Sequence, residues 1–156
     1  MDNNTVQDRQ NTLLYQNVGM AVAYAARAHS ACSLTISKTG HIGRFSVSAG
    51  PGVRVHPVTY IINVAREVSL KMFRSPSMDE QDACIDVDLK NSVTDFPGSD
   101  DLADEKREVA IGEAFRILKT NWKLVEKLVG VCRDYSKIKR DTTYLVTPAM
   151  VESRRD

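Results

Sequence analysis

The sequence predicts an α+β fold that is mainly helical and forms a single domain over residues 1–156. Apolar residues recur at helical spacing in three stretches, and they alternate with polar residues on both sides of one Thr-Gly turn. The chain is 42% hydrophobic and 26% charged, which is typical of a globular protein with a sizeable core. The predicted order is helix, β-hairpin with an optional third strand, helix, acidic linker with a short strand, long amphipathic helix and C-terminal strand-like arm.

The first half of the chain consists of a polar leader over 1–11 and a helix-hairpin-helix unit over 12–74. The first helix is expected from Thr12 to about His29, with an apolar face formed by Leu14, Val18, Ala21, Val22 and Ala25. The hairpin is expected over 32–49, with Thr39-Gly40 in the turn, so that Lys38 faces His41 and Leu34 faces Phe45. A third strand is an option at 53–55. A helix from Pro57 to about Arg74 ends the unit.

The second half begins with an acidic linker over 75–101. Alternation from Cys84 to Leu89 predicts a short strand that turns Ile85, Val87 and Leu89 inward. The long amphipathic helix is expected over 102–140, and a helix of that length either breaks, with Gly130 as the candidate position, or packs partly on another subunit. The arm over 141–156 has strand-like composition, which suits either its own sheet or that of a neighbour.

Charge is segregated along the chain although the net charge is only +1. Residues 1–78 carry a net charge of +5, residues 79–108 carry −8 and residues 109–156 carry +4. Such blocks can neutralise each other within one fold or between copies. Three widely spaced cysteines, a polar N-terminus and the lack of a long apolar run predict a cytoplasmic protein in a reducing compartment with no membrane partner.

The long helix offers a broad apolar face that suits contact between copies of the chain. Asn121 in an otherwise apolar row is typical of a residue that sets the register between helices, and Trp122 and Phe115 would anchor the interface. The predicted oligomer interface consists of Ile111, Phe115, Leu118, Asn121, Trp122, Val125 and Leu128. The alternative is that the same face forms the core of a monomer.

The polar face of the hairpin suggests nucleic acid as a second partner, because cations among hydroxyl groups suit phosphate oxygens. The order of elements over 12–74 resembles that of double-stranded-RNA-binding domains, although the lysine cluster that opens their second helix is missing here. The residues of this alternative are Lys38, His41, Arg44 and Arg54, joined by Lys137, Lys139 and Arg140 at the basic end of the long helix.

Signals of catalysis are weak. The segment Gly50-Pro51-Gly52 lacks the ending of a phosphate-binding loop, and Asp86 with Asp88 is a meagre basis for a cation site. No local nucleophile motif accompanies the cysteines or histidines. We therefore expect no enzyme activity, cofactor or metal. The predicted function is a self-associating structural or interaction protein of the small accessory or virus-like kind, with nucleic-acid binding as the alternative.

Overall fold

The fold is α+β and mainly helical, as expected, in a computed structural model that describes residues 3–28, 31–39, 42–49, 56–86, 104–133 and 142–151. The α-helices within these ranges are α1 (Asn3–Ala28), α2 (His56–Arg74), α3 (Glu80–Asp86), α4 (Asp104–Thr120) and α5 (Trp122–Arg133). Three strands are β1 (Cys32–Thr39), β2 (Ile42–Ala49) and β3 (Thr142–Val146), and a short 3-10 helix follows at Pro148–Met150. The optional strand at 53–55 lies outside the described residues.

Helix α1 is the central element, and it packs on α2, α4, α5 and the sheet. It begins at Asn3 instead of the predicted Thr12, so residues 3–11 of the polar leader are helical. The predicted apolar face is buried, including Leu14, Val18 and Val22. Gly19 lets α2 approach closely, because a Cβ there would lie 2.3 Å from Cβ of Ser69. Ser69 in turn donates a buried hydrogen bond of 2.6 Å to the carbonyl of Tyr15, which fixes the crossing.

The three strands form one antiparallel sheet in the order β2-β1-β3. The hairpin is present, but its register differs from the prediction, since Lys38 pairs with Gly43 and Leu34 with Val47. The connection is thus residues 40–41 instead of Thr39-Gly40, and the two-residue change of partner leaves each β1 side chain on its predicted face. The C-terminal arm supplies β3, which pairs with β1 of its own chain.

Helix α3 replaces the strand that alternation predicted from Cys84. Asp79 and Asp82 form a reciprocal cap at its start: the N–H of Asp82 donates to Oδ1 of Asp79 at 2.8 Å, and the N–H of Asp79 donates to Oδ2 of Asp82 at 3.3 Å. These bonds satisfy free backbone donors of the first turn and favour a helix over a strand. Residues 84–86 are therefore helical, and Ile85 points to solvent instead of inward. Val87 and Leu89 lie outside the described residues.

The expected long helix is divided at Asn121, and α5 continues through Gly130. The side chain of Asn121 is buried and donates to the carbonyl of Ile117 at 2.9 Å, the same oxygen that accepts the N–H of Asn121 at 3.1 Å. A side chain that competes with the backbone for one carbonyl disturbs the regular helix. Residues 134–140 of the predicted helix lie outside the described part of the chain.

Across the described ranges, every helix falls short of the length and apolar character needed to cross a membrane. A cytoplasmic location stays a prediction.

Candidate interaction groove

An open groove of about 790 Å³ lies between α3 and the first half of α4. Its position follows from the Asp79–Asp82 cap, which starts α3 where it can lie along α4. Apolar, acidic and basic side chains all contribute to it. The lining residues are Glu80, Gln81, Cys84, Ile85, Glu108, Val109, Gly112 and Arg116.

Two apolar side chains in the groove are strongly exposed. Ile85 is 80% exposed and Val109 is 64% exposed, more than any other large apolar side chain among the described residues. Ile85 belongs to the last turn of α3 and Val109 to the first half of α4, so the two stand on opposite walls. Adjacent exposed apolar residues with a polar rim are typical of an interaction surface.

An ion pair between Arg116 and Glu80 joins the two walls. Gly112 lies beneath this pair, because a Cβ at position 112 would be 3.0 Å from Oε1 of Glu80. Both charged side chains are more than two-fifths exposed, so solvent screens the pair and it adds little to folding stability. Since Arg116 neutralises Glu80, the carboxylate of Glu108 leaves the lining with an excess of one negative charge, and Glu108 is exposed. Asp79 and Asp82, also exposed, belong to the cap at the start of α3 and lie outside the lining.

The thiol of Cys84 is half-buried in the groove, and its Sγ lies 3.7 Å from the carbonyl of Glu108. Burial raises the pKa of Cys84 above its usual value, and the negative charges of Glu108 and Glu80 raise it further, whereas Arg116 lowers it. A raised pKa keeps the group a thiol at neutral pH, and the thiolate is the reactive form. The surroundings of Cys84 therefore favour the thiol over the thiolate.

The predicted oligomer interface lies elsewhere, inside the chain. Its residues are buried in the common core except Trp122, which is half-buried against that core. Trp122 stacks on Tyr15, with ring centroids 5.9 Å apart, and Tyr15 stacks on Phe73 at 3.9 Å. The buried residues are Ile111, Phe115, Leu118, Asn121, Val125 and Leu128. This face of α4 and α5 is thus covered by the protein's own helices.

The residues of the nucleic-acid alternative are not brought together in the described part of the chain. Lys38 and Arg44 belong to strands whose backbone is described without these side chains. The remaining five, His41, Arg54, Lys137, Lys139 and Arg140, lie outside the described residues, as does Asp88 of the weak cation site. Asp86 ends α3, and its side chain is not described. No group of three metal-ligating side chains is found within the described ranges.

Sequence reasoning missed the groove because it assigned Cys84 and Ile85 to a strand. The signal that could have revealed α3 is Asp79-x-x-Asp82, a polar capping residue followed three positions later by a carboxylate. With α3 recognised, helical spacing would have left Ile85 on the side away from Ala83, which is fully buried.

Comparisons of the chain with protein-family models, with curated proteins and with solved structures found no match. The function is therefore inferred from the chain's own residues.

Proposed function

We propose that the chain is a non-enzymatic protein that self-associates, and that the α3–α4 groove receives a second copy. The observation that carries this proposal is the pair Ile85 and Val109, which leave two large aliphatic side chains in water on opposite walls of one groove. Each buried aliphatic side chain contributes roughly 1.5–3 kcal/mol relative to an exposed one, so covering this pair favours association.

Charge supports a second copy as the occupant. The exposed carboxylate of Glu108 gives the groove an excess of one negative charge, since Glu80 is paired with Arg116, so a basic partner suits it. The chain itself carries such a partner, since residues 109–156 have a net charge of +4. An acidic groove and a basic segment on one polypeptide complement each other between copies.

The raised pKa of Cys84 supports a binding role over a catalytic one. A nucleophilic cysteine needs neighbours that favour the thiolate, whereas burial, Glu108 and Glu80 here favour the thiol.

The test is the molar mass of the chain in solution, measured by light scattering during size-exclusion chromatography over a range of loading concentrations. We expect the mass to rise with concentration for the unmodified chain and to fall to that of a monomer for Ile85→Lys, which replaces the apolar contact with a charge that repels a basic partner.

The matched control is Leu145→Lys on β3, because Leu145 is 58% exposed and lies outside the groove. Circular dichroism should show both variants folded. A chain that stays monomeric at every concentration would refute self-association. Loss of association in Leu145→Lys but not in Ile85→Lys would move the contact to the sheet. A large mass with strong absorbance at 260 nm that disappears in high salt would replace the proposal with nucleic-acid binding.

A further inference from the structure

A second groove offers no surplus cation to the first, because Arg116, the basic side chain of the lining, is already bound to Glu80. If two copies met groove to groove across a twofold axis, the exposed carboxylate of Glu108 in each would meet no unengaged basic side chain of the other groove. The complementary surface must therefore be a different part of the chain, one that is exposed, basic and convex enough to enter a groove between helices.

Helix α5 has such a surface on the side away from the core. Lys123, Lys127, Gly130 and Val131 are all exposed, and at 100° per residue they fall within an arc of about 100°. The opposite side of α5 is buried through Val125, Val129 and Cys132. This exposed side of α5, defined by those four residues, is called here the α5 basic face.

The α5 basic face offers the same mixture of features as the groove, with the opposite charge. Val131 is 40% exposed and can cover the aliphatic side chains of the groove. Gly130 has no atom within 4 Å of the position of a Cβ, so the helix surface is low there and a neighbouring helix can approach closely. Glu126, the described carboxylate of α5, accepts a hydrogen bond of 2.9 Å from the hydroxyl of Tyr15 and so is bound to α1.

The α3–α4 groove lies beside the first half of α4, whereas the α5 basic face lies beyond the end of α4. Eleven residues separate Val109 from Thr120 at the end of α4, about 16 Å at 1.5 Å per residue, and α5 begins only beyond that. The α5 basic face therefore does not reach the groove of its own chain, and it stays available for the groove of another.

On the basis of the proposed self-association, we infer that the α3–α4 groove binds the α5 basic face of a second copy, so that the contact is heterologous. Each copy then presents one groove and one basic face. Such head-to-tail contacts produce a ring if the rotation closes and an open chain of copies if it does not. The lysines Lys123 and Lys127 would supply the positive charge that Glu108 lacks, and Val131 would cover the exposed aliphatic side chains.

The experiment uses two full-length variants that each retain one surface. Ile85→Lys blocks the groove and leaves the α5 basic face, whereas Lys123→Glu with Lys127→Glu reverses that face and leaves the groove. We expect each variant alone to remain a monomer at concentrations at which the unmodified chain associates. A 1:1 mixture should form a dimer that grows no further, because only one intact pair of surfaces remains. Sedimentation velocity measures the masses.

The matched control is Arg9→Glu with Arg66→Glu, which makes the same change in net charge at exposed positions on α1 and α2. It should associate like the unmodified chain, and the dimer of the mixture should weaken with added salt. A mixture that stays monomeric, or a reversed-face variant that still associates alone, would overturn the heterologous contact while leaving self-association intact. A monomeric unmodified chain would overturn the proposed function itself.

Discussion

Two glycines lie at close contacts between helices, and their surroundings differ completely. Gly19 lies in the interior between α1 and α2, where Ser69 occupies the space that a Cβ would need. Gly112 lies between α3 and α4, beneath the exposed Arg116–Glu80 ion pair. The interior contact is closely packed around the buried, hydrogen-bonded Ser69, whereas the contact at the groove is made by an exposed ion pair and leaves Ile85 in water. The first region stabilises the fold, and the second leaves exposed the surface that we propose for contact with another copy.

The largest expected effect on the unfolding free energy comes from a charge placed at a fully buried position. Leu118 is fully buried, so Leu118→Glu should cost about 4 kcal/mol or more of unfolding free energy and leave the chain unfolded. Ile85→Glu should change the unfolding free energy by only about 0.5 kcal/mol, because Ile85 is exposed. Urea denaturation followed by circular dichroism compares them. If Leu118→Glu stays folded and only loses association, Leu118 belongs to an interface after all.

Substitution of single glycines by alanine should give smaller, ordered effects. Gly19→Ala should cost about 1–3 kcal/mol, because the added methyl group pushes α1 and α2 apart at Ser69. Gly112→Ala should be nearly neutral, since the nearest atom ends the flexible Glu80 side chain and the helix gains propensity. Gly130→Ala should stabilise by about 0.5–1 kcal/mol, because its Cβ meets open space. Equal effects of the three substitutions on the urea midpoint would contradict the difference between interior and groove.

The unfolding free energy should depend on pH in the alkaline range, because thiol and phenol groups are buried in the interior. Burial raises the pKa of Cys32 to about 11 and that of Cys132 to about 12. Burial, followed by the hydrogen bond to Glu126, raises the pKa of Tyr15 to about 12. Since the folded pKa values exceed the unfolded ones, the proton is held more tightly in the fold. The corresponding stability is complete below the unfolded pKa and is lost as pH rises through the folded pKa.

The expected result is a decline in unfolding free energy from about pH 9, where unfolded thiols titrate, towards pH 12. Urea denaturation at several pH values measures the slope. Cys132→Ala should flatten it more than Cys84→Ala, because Cys132 is buried and Cys84 only half-buried. Tyr15→Phe should flatten it from about pH 10, the ordinary value for tyrosine. Equal slopes in Cys132→Ala and the unmodified chain would show that this thiol does not contribute.

Local pattern was sufficient for the elements that obey a single period. The helical spacing of Leu14, Val18 and Val22 predicted the buried face of α1, because such spacing places side chains on one side of a helix whatever its partner. Alternation predicted β1 and its faces. The register of the hairpin was not predictable from alternation, since a change of partner by two residues keeps every side chain on the same face.

The groove was less predictable than the core, for two physical reasons. The alternation of the run from Cys84 to Leu89 covers so few residues that strand and helix are equally compatible with it, and the Asp79–Asp82 hydrogen bonds favour the helix. Asn121 shows the second reason, which is that an apolar row does not distinguish a core from an interface. Its place in an apolar row suggested a contact between copies, but burial inside one chain is equally consistent with that row.

The sequence by itself determined the class of fold, the buried sides of the helices and the segregation of charge, because these depend on residue type and local spacing. Only the tertiary structure decided that the apolar side of α4 and α5 is covered by α1 and α2, and that Ile85 and Val109 are left in water. The physical reason is that an apolar pattern in the sequence predicts that the side chains are buried, but it does not predict which surface buries them. Whether the cover is the same chain or another copy depends on how the helices pack.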